Sequence, residues 1–282
     1  MSGAHHHHEH VAWGDRGADL IADGEVNAPM VDQALRWLVE RVPDATRVLD
    51  VGSGPGVAAC SFAEMLPKAE VVAADGAPEL LELARDRAHH RGLDGRVVTR
   101  EIALPEGITE LPPADIVWVG GVAHHMPDVP AAVRDLASLV RPGGVLALRE
   151  GGLPLRFVPG YADRGLTARM NAVNDEMADR HEHPMGAIEA PRSWSELLSE
   201  AGLVDVTSRT FLLDRPAPLD EPSRRDLRRN LRMSRELLAE RLSAEDIARL
   251  DGLTADDGPD SVLHRPDVFM LRASTVHIGS RG

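Results

Sequence analysis

Cysteine occurs once in the 282 residues, at Cys60. No internal disulfide can form, which suits a reducing, cytoplasmic setting. Long apolar runs are missing too: none reaches the ~18 residues that a membrane helix needs, and no signal-peptide core precedes residue 30. Basic residues are in deficit, 31 Lys and Arg against 45 Asp and Glu, a net charge of −14. Phosphate and anionic-membrane binding are driven by basic surface, so nucleic acid and membrane are poor partners and a small molecule or a peptide is the expected one. Aromatics make up only 3% of the chain. Three of them, Trp13, Phe157 and Tyr161, fall in segments able to close over a site, although local core packing accounts for each better than acceptor stacking does.

What is present is a stretch around which the rest is arranged. Val48-Leu49-Asp50-Val51 leads into Gly52-Ser53-Gly54-Pro55-Gly56, and a helix-compatible run, Val57 to Leu66, follows. A strand, a turn stripped of side chains and a helix allow close approach of a ligand to the backbone. The dinucleotide fingerprint G-x-G-x-x-G fails here, because Val57 stands where its last glycine belongs. Asp50 would repel a pyrophosphate but suits a ligand bearing an ammonium and a sulfonium.

Periodicity predicts a helix opened by Pro29, and strands at 47–51, 70–74, 96–100, 115–119 and 145–149 alternating with helices. That alternation means an α/β fold with a parallel sheet and helices on both faces; the expected architecture is Rossmann-like, a mostly parallel sheet of seven strands with an antiparallel last strand. The expected organisation is a His-rich tail (1–10) excluded from the fold, an N-terminal cap (11–46) and a core (47–150). An insertion over the site (151–191) follows, then a C-terminal part (192–282) carrying a helical insertion at 214–266. Ser193-Trp194-Ser195-Glu196 has the form of a capping box.

Ligands of open α/β sheets bind at the carboxyl ends of the strands. Asp50 with the glycine turn, Asp75, Glu101, Gly120-Gly121 and Glu150 occupy those ends in turn. Val-Leu-Asp-Val-Gly-Ser-Gly-Pro-Gly resembles motif I of the class I S-adenosylmethionine-dependent methyltransferases. Leu139 to Gly144 resembles their L-x-P-G-G turn, and Asp115 to Asp128 the His-His region of small-molecule members. The Arg- and Ala-rich composition and long inserts look like tailoring enzymes of actinobacterial secondary metabolism.

The resemblance implies S-adenosylmethionine as cofactor, with S-adenosylhomocysteine released. Gly52, Ser53, Gly54 and Gly56 would line its methionine half and Asp50 would orient its ammonium. Asp75 would grip the ribose, so its loss should weaken binding and leave ligand-free stability unchanged. Gly76, Ala77, Glu101 and Ile102 would surround the adenine, and Gly120 would complete the site. Trp13, Glu150, Phe157 and Tyr161 are candidates to meet the acceptor.

His124 and His125 fall where acceptor and methyl group should meet. A neutral imidazole can take a proton from a phenol or hydroxyl; one or both could instead cap the next helix. Neighbours on an irregular turn point apart, so at most one should face the acceptor. His181-Glu182-His183 lacks further spaced ligands and implies no metal. The expected activity is methylation of oxygen, nitrogen or carbon on a small organic acceptor. An inactive cofactor-binding module is the alternative, and a nicotinamide oxidoreductase fails on Val57 and on a missing Tyr-x-x-x-Lys. Asn/Asp-Pro-Pro-aromatic, used to methylate base or glutamine amino groups, is absent after the fourth strand.

Overall fold

The computed structural model describes residues 13–179 and 193–282. The His-rich tail and His181-Glu182-His183 lie outside the described residues. In chain order the core elements are α1 (Trp13–Val39), β1 (Arg47–Val51), α2 (Val57–Met65), β2 (Glu70–Asp75), α3 (Pro78–His90), β3 (Val97–Glu101), β4 (Ala114–Gly120), α4 (Val129–Ser138) and β5 (Val140–Arg156). Then come α5 (Gly160–Asp163), α6 (Leu166–Asp179), α7 (Trp194–Glu200), β6 (Val204–Arg215), α8 (Glu221–Leu237), α9 (Ala244–Thr254) and β7 (Met270–Ser280).

Seven strands form one sheet in the order β3-β2-β1-β4-β5-β7-β6. β7 runs antiparallel between β5 and β6, while β1 pairs in parallel with both β2 and β4. The seven-stranded sheet with an antiparallel last strand is therefore as the sequence implies. Strand order reverses between β1 and β4, which opens a crevice above their carboxyl ends. Successive β4 residues alternate between two cores. Ile116 and Trp118 pack under α1 and α2, and Val117 and Val119 under α4. Burial on both faces is why the central strands read as continuous apolar runs.

Three local expectations are corrected. Pro29 does not open a helix; it lies inside α1, which already begins at Trp13. Proline in a helix interior costs about 3 kcal/mol, and packing offsets it. Val26, Met30, Leu35 and Leu38 are buried in one stripe, each contributing about 1.5–3 kcal/mol. The half before Pro29 lies flat on its neighbours, since a Cβ on Gly24 would come within 2.7 Å of Val57 and one on Gly17 within 2.3 Å of Leu83. Asn27 Nδ2 also donates to the Asp23 carbonyl at 2.8 Å.

The fifth strand is longer than 145–149. It continues to Arg156 because β7 pairs with it as far as Arg156↔Leu271, the ladder shifting register at Gly151-Gly152. The Arg141-Pro142-Gly143-Gly144 run is a bulge within this strand rather than a turn before it. The capping box at Ser193 and Glu196 is present, both of its hydrogen bonds formed.

Candidate active site

The glycine turn sits at the β1/β4 crevice. Gly52, Gly54 and Gly56 have φ of 70°, 52° and 73°, a region open to glycine and strained for other residues. A Cβ at Gly56 would press on Ala84 at 2.8 Å, whereas one at Gly54 would meet nothing within 4 Å. Gly54 thus borders open space. Gly52 N and Ser53 N both donate to the Ala74 carbonyl, at 2.8 and 3.0 Å, which ties the turn to the end of β2.

Asp75 completes that tie. Its Oδ2 accepts from Gly54 N at 2.8 Å and its Oδ1 from Ala77 N at 3.0 Å. The carboxylate therefore braces the turn without any ligand. Each oxygen keeps a second lone pair for a ribose hydroxyl.

Asp50 is buried and its Oδ2 has no partner. Burial, reinforced by the Asp75 charge, pushes its pKa up to about 7; the Ala59 amide and Arg149 oppose the shift. A sealed carboxylate with an orphan oxygen is what an incoming ammonium would satisfy. Ile102 is buried and donates its amide to the Asp75 carbonyl at 3.1 Å. Ala77 is buried and Gly76 packs near the Ile102 carbonyl. Glu101, by contrast, is an exposed residue at the end of edge strand β3.

After β4 the chain turns through Gly120-Gly121-Val122 into a single 3₁₀ turn, Ala123–His125. His124 Nδ1 lies 2.8 Å from Glu150 Oε2, and Glu150 Oε1 accepts from Ala123 N at 3.0 Å. Glu150 is buried, whereas His124 retains 29% of its side-chain exposure. Glu150, a candidate acceptor contact from the sequence, is thus engaged by the His124 ring and the Ala123 amide. The His125 ring rests on the His124 ring with centroids 3.8 Å apart. Neither histidine caps α4; Asp128 does, its Oδ1 accepting from Ala131 N at 2.9 Å.

The expected acceptor aromatics fare differently. Phe157 is buried in the core. Tyr161 is 73% exposed, donates to Asp267 at 2.7 Å and borders a cavity shared with Asp260 and Arg265. Trp13 is the first residue of α1. Sequence reasoning missed Arg149. It lies against the crevice, NH2 donating to the Gly120 carbonyl at 3.3 Å, within electrostatic reach of Asp50, Asp23 and Glu150. Its signal was an arginine interrupting the apolar run Val145 to Leu148. Cys60 is buried, and burial pushes its thiol up to about 11, so it is no nucleophile.

A glycine turn at the reversal of strand order, followed by carboxylates at the ends of β1 and β2, defines an α/β protein built to hold a nucleoside-bearing cofactor. Residues 49–146 match the methyltransferase domain family. The chain is 34% identical over 167 residues to a ribosomal protein L11 methyltransferase of Symbiobacterium thermophilum, covering 58% of this chain and 47% of that one. It is 32% identical over 146 residues to a 27-O-demethylrifamycin SV methyltransferase of Amycolatopsis mediterranei, covering half of each. The chain thus spans about half the length of these curated relatives. A solved O-methyltransferase family protein from Burkholderia thailandensis shares the fold, with a TM-score of 0.54 at 19% identity, over 94% of this chain and 59% of that one.

Proposed function

We propose that the protein methylates an oxygen of a small organic acceptor, using S-adenosylmethionine. The carrying observation is the His124–Glu150 pair beside the Gly120 turn. Asp50, with its orphan oxygen, is suited to the cofactor's ammonium, Gly54 to its close approach and Asp75 to its ribose. Gly52, Ser53, Gly56, Gly76, Ala77, Ile102 and Gly120 would complete that cradle, with Glu101 at its exposed edge. The cofactor supplies a methyl group already activated on a sulfonium.

The chain's own residues align and deprotonate. With Glu150 accepting from Nδ1–H, the lone pair of His124 lies on Nε2, which can take the proton of a hydroxyl or phenol. Glu150 then stabilises the imidazolium, as an orienting carboxylate does in other His-based sites. His125 packs on the ring and restrains it. A neutral amine acceptor would have no use for this pair, which is why oxygen is favoured. The acidic composition supports a small molecule over nucleic acid, and the rifamycin-type relative supports it further. A place in secondary metabolism and in the cytoplasm fits the composition.

Turnover against a panel of phenols and hydroxy compounds tests the proposal. His124→Ala should lower kcat by roughly 10²–10⁴-fold, while the dissociation constant of S-adenosylhomocysteine stays unchanged. Glu150→Gln should also lower kcat, by releasing the tautomer. Tight S-adenosylhomocysteine binding with no turnover of any acceptor would favour the inactive binding module instead.

A further inference from the structure

Glu150 sits where its strand is least constrained. The β5–β7 ladder pairs Arg149 with Val276 and next pairs Gly152 with Ser274, leaving Glu150 and Gly151 between the paired positions. Gly151 and Gly152 have φ of 71° and 134°, so the chain turns sharply directly after the carboxylate that meets His124. A carboxylate on such a segment needs something besides the ladder to fix its aim.

One side chain from β7 is in place to supply it. His277 is paired with Leu148, and side chains two residues apart share a face of a strand. The His277 ring therefore lies on the face that Leu148 and Glu150 share. Its Nδ1 is 2.7 Å from the Ser208 Oγ on β6, which is 3.3 Å from the Ser195 Oγ on α7. That helix packs across both β6 and β7. Burial pushes the His277 pKa down, and the Glu150 carbonyl and carboxylate, both within reach of the ring, oppose the shift. With Nδ1 taken by Ser208, Nε2 is the nitrogen left to meet the Glu150 carbonyl. A neutral ring protonated on Nε2 satisfies both neighbours, accepting from the Ser208 hydroxyl and donating to the carbonyl. Ser195, Ser208, His277 and Glu150 then form one line of donors and acceptors running from α7 to the site.

We propose that His277 is a positioning residue for the His124–Glu150 pair, holding the Glu150 backbone at the break in the ladder so that its carboxylate stays aimed. This role rests on the catalysis proposed for that pair, and His277 acts through Glu150 rather than on the acceptor. The aim is exacting. Glu150 Oε2 meets His124 Nδ1 at 2.8 Å while Oε1 accepts from Ala123 N at 3.0 Å, and a shift of about an ångström takes either contact out of hydrogen-bond range.

A ring N–H bonded to a carboxylate gives a downfield proton resonance, assigned here by its loss in His124→Ala. Recorded on the ligand-free full chain, it reports the pair whether or not any acceptor is turned over. His277→Leu should abolish that resonance or move it upfield. It should also lower kcat by up to roughly 10²-fold, the cost of misplacing a catalytic group by about an ångström, with KM and S-adenosylhomocysteine binding unchanged. His277→Gln, whose amide can donate in place of Nε2, should restore the resonance and most of kcat. Ser208→Ala, at an exposed strand position, should shift both readouts in the direction of His277→Leu. An unchanged resonance in His277→Leu and Ser208→Ala overturns the proposal, as does a His277→Gln variant no better than His277→Leu. A resonance that moves as expected, with kcat untouched by His124→Ala, would instead strike the proposed base and leave the positioning of Glu150 standing.

Discussion

Asp50 carries an unusual burden for a carboxyl group. Held near 7 by burial and by Asp75, it binds a proton in the folded chain at pH values where the unfolded chain has lost it. Stability without ligand therefore falls as pH rises from about 4 to about 7, and remains lower above that. Asp50→Asn should flatten this slope and raise the ligand-free melting temperature at pH 8. An ammonium at Asp50 reverses the preference, since it favours the ionised carboxylate. Affinity for S-adenosylmethionine should accordingly drop below pH 7, with proton release on binding seen by calorimetry in buffers of different ionisation enthalpy. An affinity flat from pH 5.5 to 8 would remove Asp50 from the ammonium's contacts. Asp75 differs, since it serves the turn before any ligand arrives. Asp75→Ala should cost about 0.5–1.5 kcal/mol of ligand-free stability, the usual net worth of a hydrogen bond that solvent can partly replace, as well as weakening cofactor binding. Denaturant melts of the ligand-free variant measure the first effect separately.

At the scale of elements, α1 is the part whose form depends most on its neighbours. Its first half contains Gly17 and Gly24 and precedes a proline, all unfavourable to an isolated helix. It persists because both glycines allow close contact with α3 and α2. Gly24→Ala should thus behave opposite to its helix propensity. An isolated helix would gain about 1 kcal/mol, whereas here the 2.7 Å approach to Val57 should lower the melting temperature and speed amide exchange in the first half of α1. A rise in melting temperature would mean that this half is not packed on α2. The Gly151-Gly152 register shift likewise matters beyond its length. It ends the regular β5–β7 ladder just past Glu150, so the pair with His124 forms at an irregularity rather than within an even strand, a usual place for functional side chains.

Across the whole molecule, charge and burial separate the structural from the functional. On α8 the Arg225–Glu221 pair lies at the surface, both side chains 72% exposed, where single ion pairs contribute roughly 0–1 kcal/mol. Arg225→Ala should therefore shift the melting temperature little. The net charge of −14 sets a further expectation: no retardation of duplex DNA or of RNA hairpins in gel-shift assays at physiological salt. Retardation at micromolar protein would contradict the small-molecule assignment. Among the described residues no helix is long and apolar enough to cross a membrane, and none form a cluster able to hold a metal ion.

The sequence by itself determined the parallel sheet, the glycine turn and the positions of Asp50, Asp75 and the histidine pair. Those features are local: period-two and period-3.6 patterns, a turn needing positive φ, and acids placed at strand ends. Only the tertiary structure decided which partner each of them meets. His124 meets Glu150 across 26 residues and Asp75 meets Gly54 across 21. Arg149 reaches the crevice from a strand that pairs beside β4. The extent of α1 and of β5 followed the same logic, since burial against α2 and pairing with β7 outweighed a proline and two glycines that locally favour breaks. Propensity is a matter of tenths to a few kcal/mol per residue, and long-range packing exceeds it wherever a neighbour is present to be packed against.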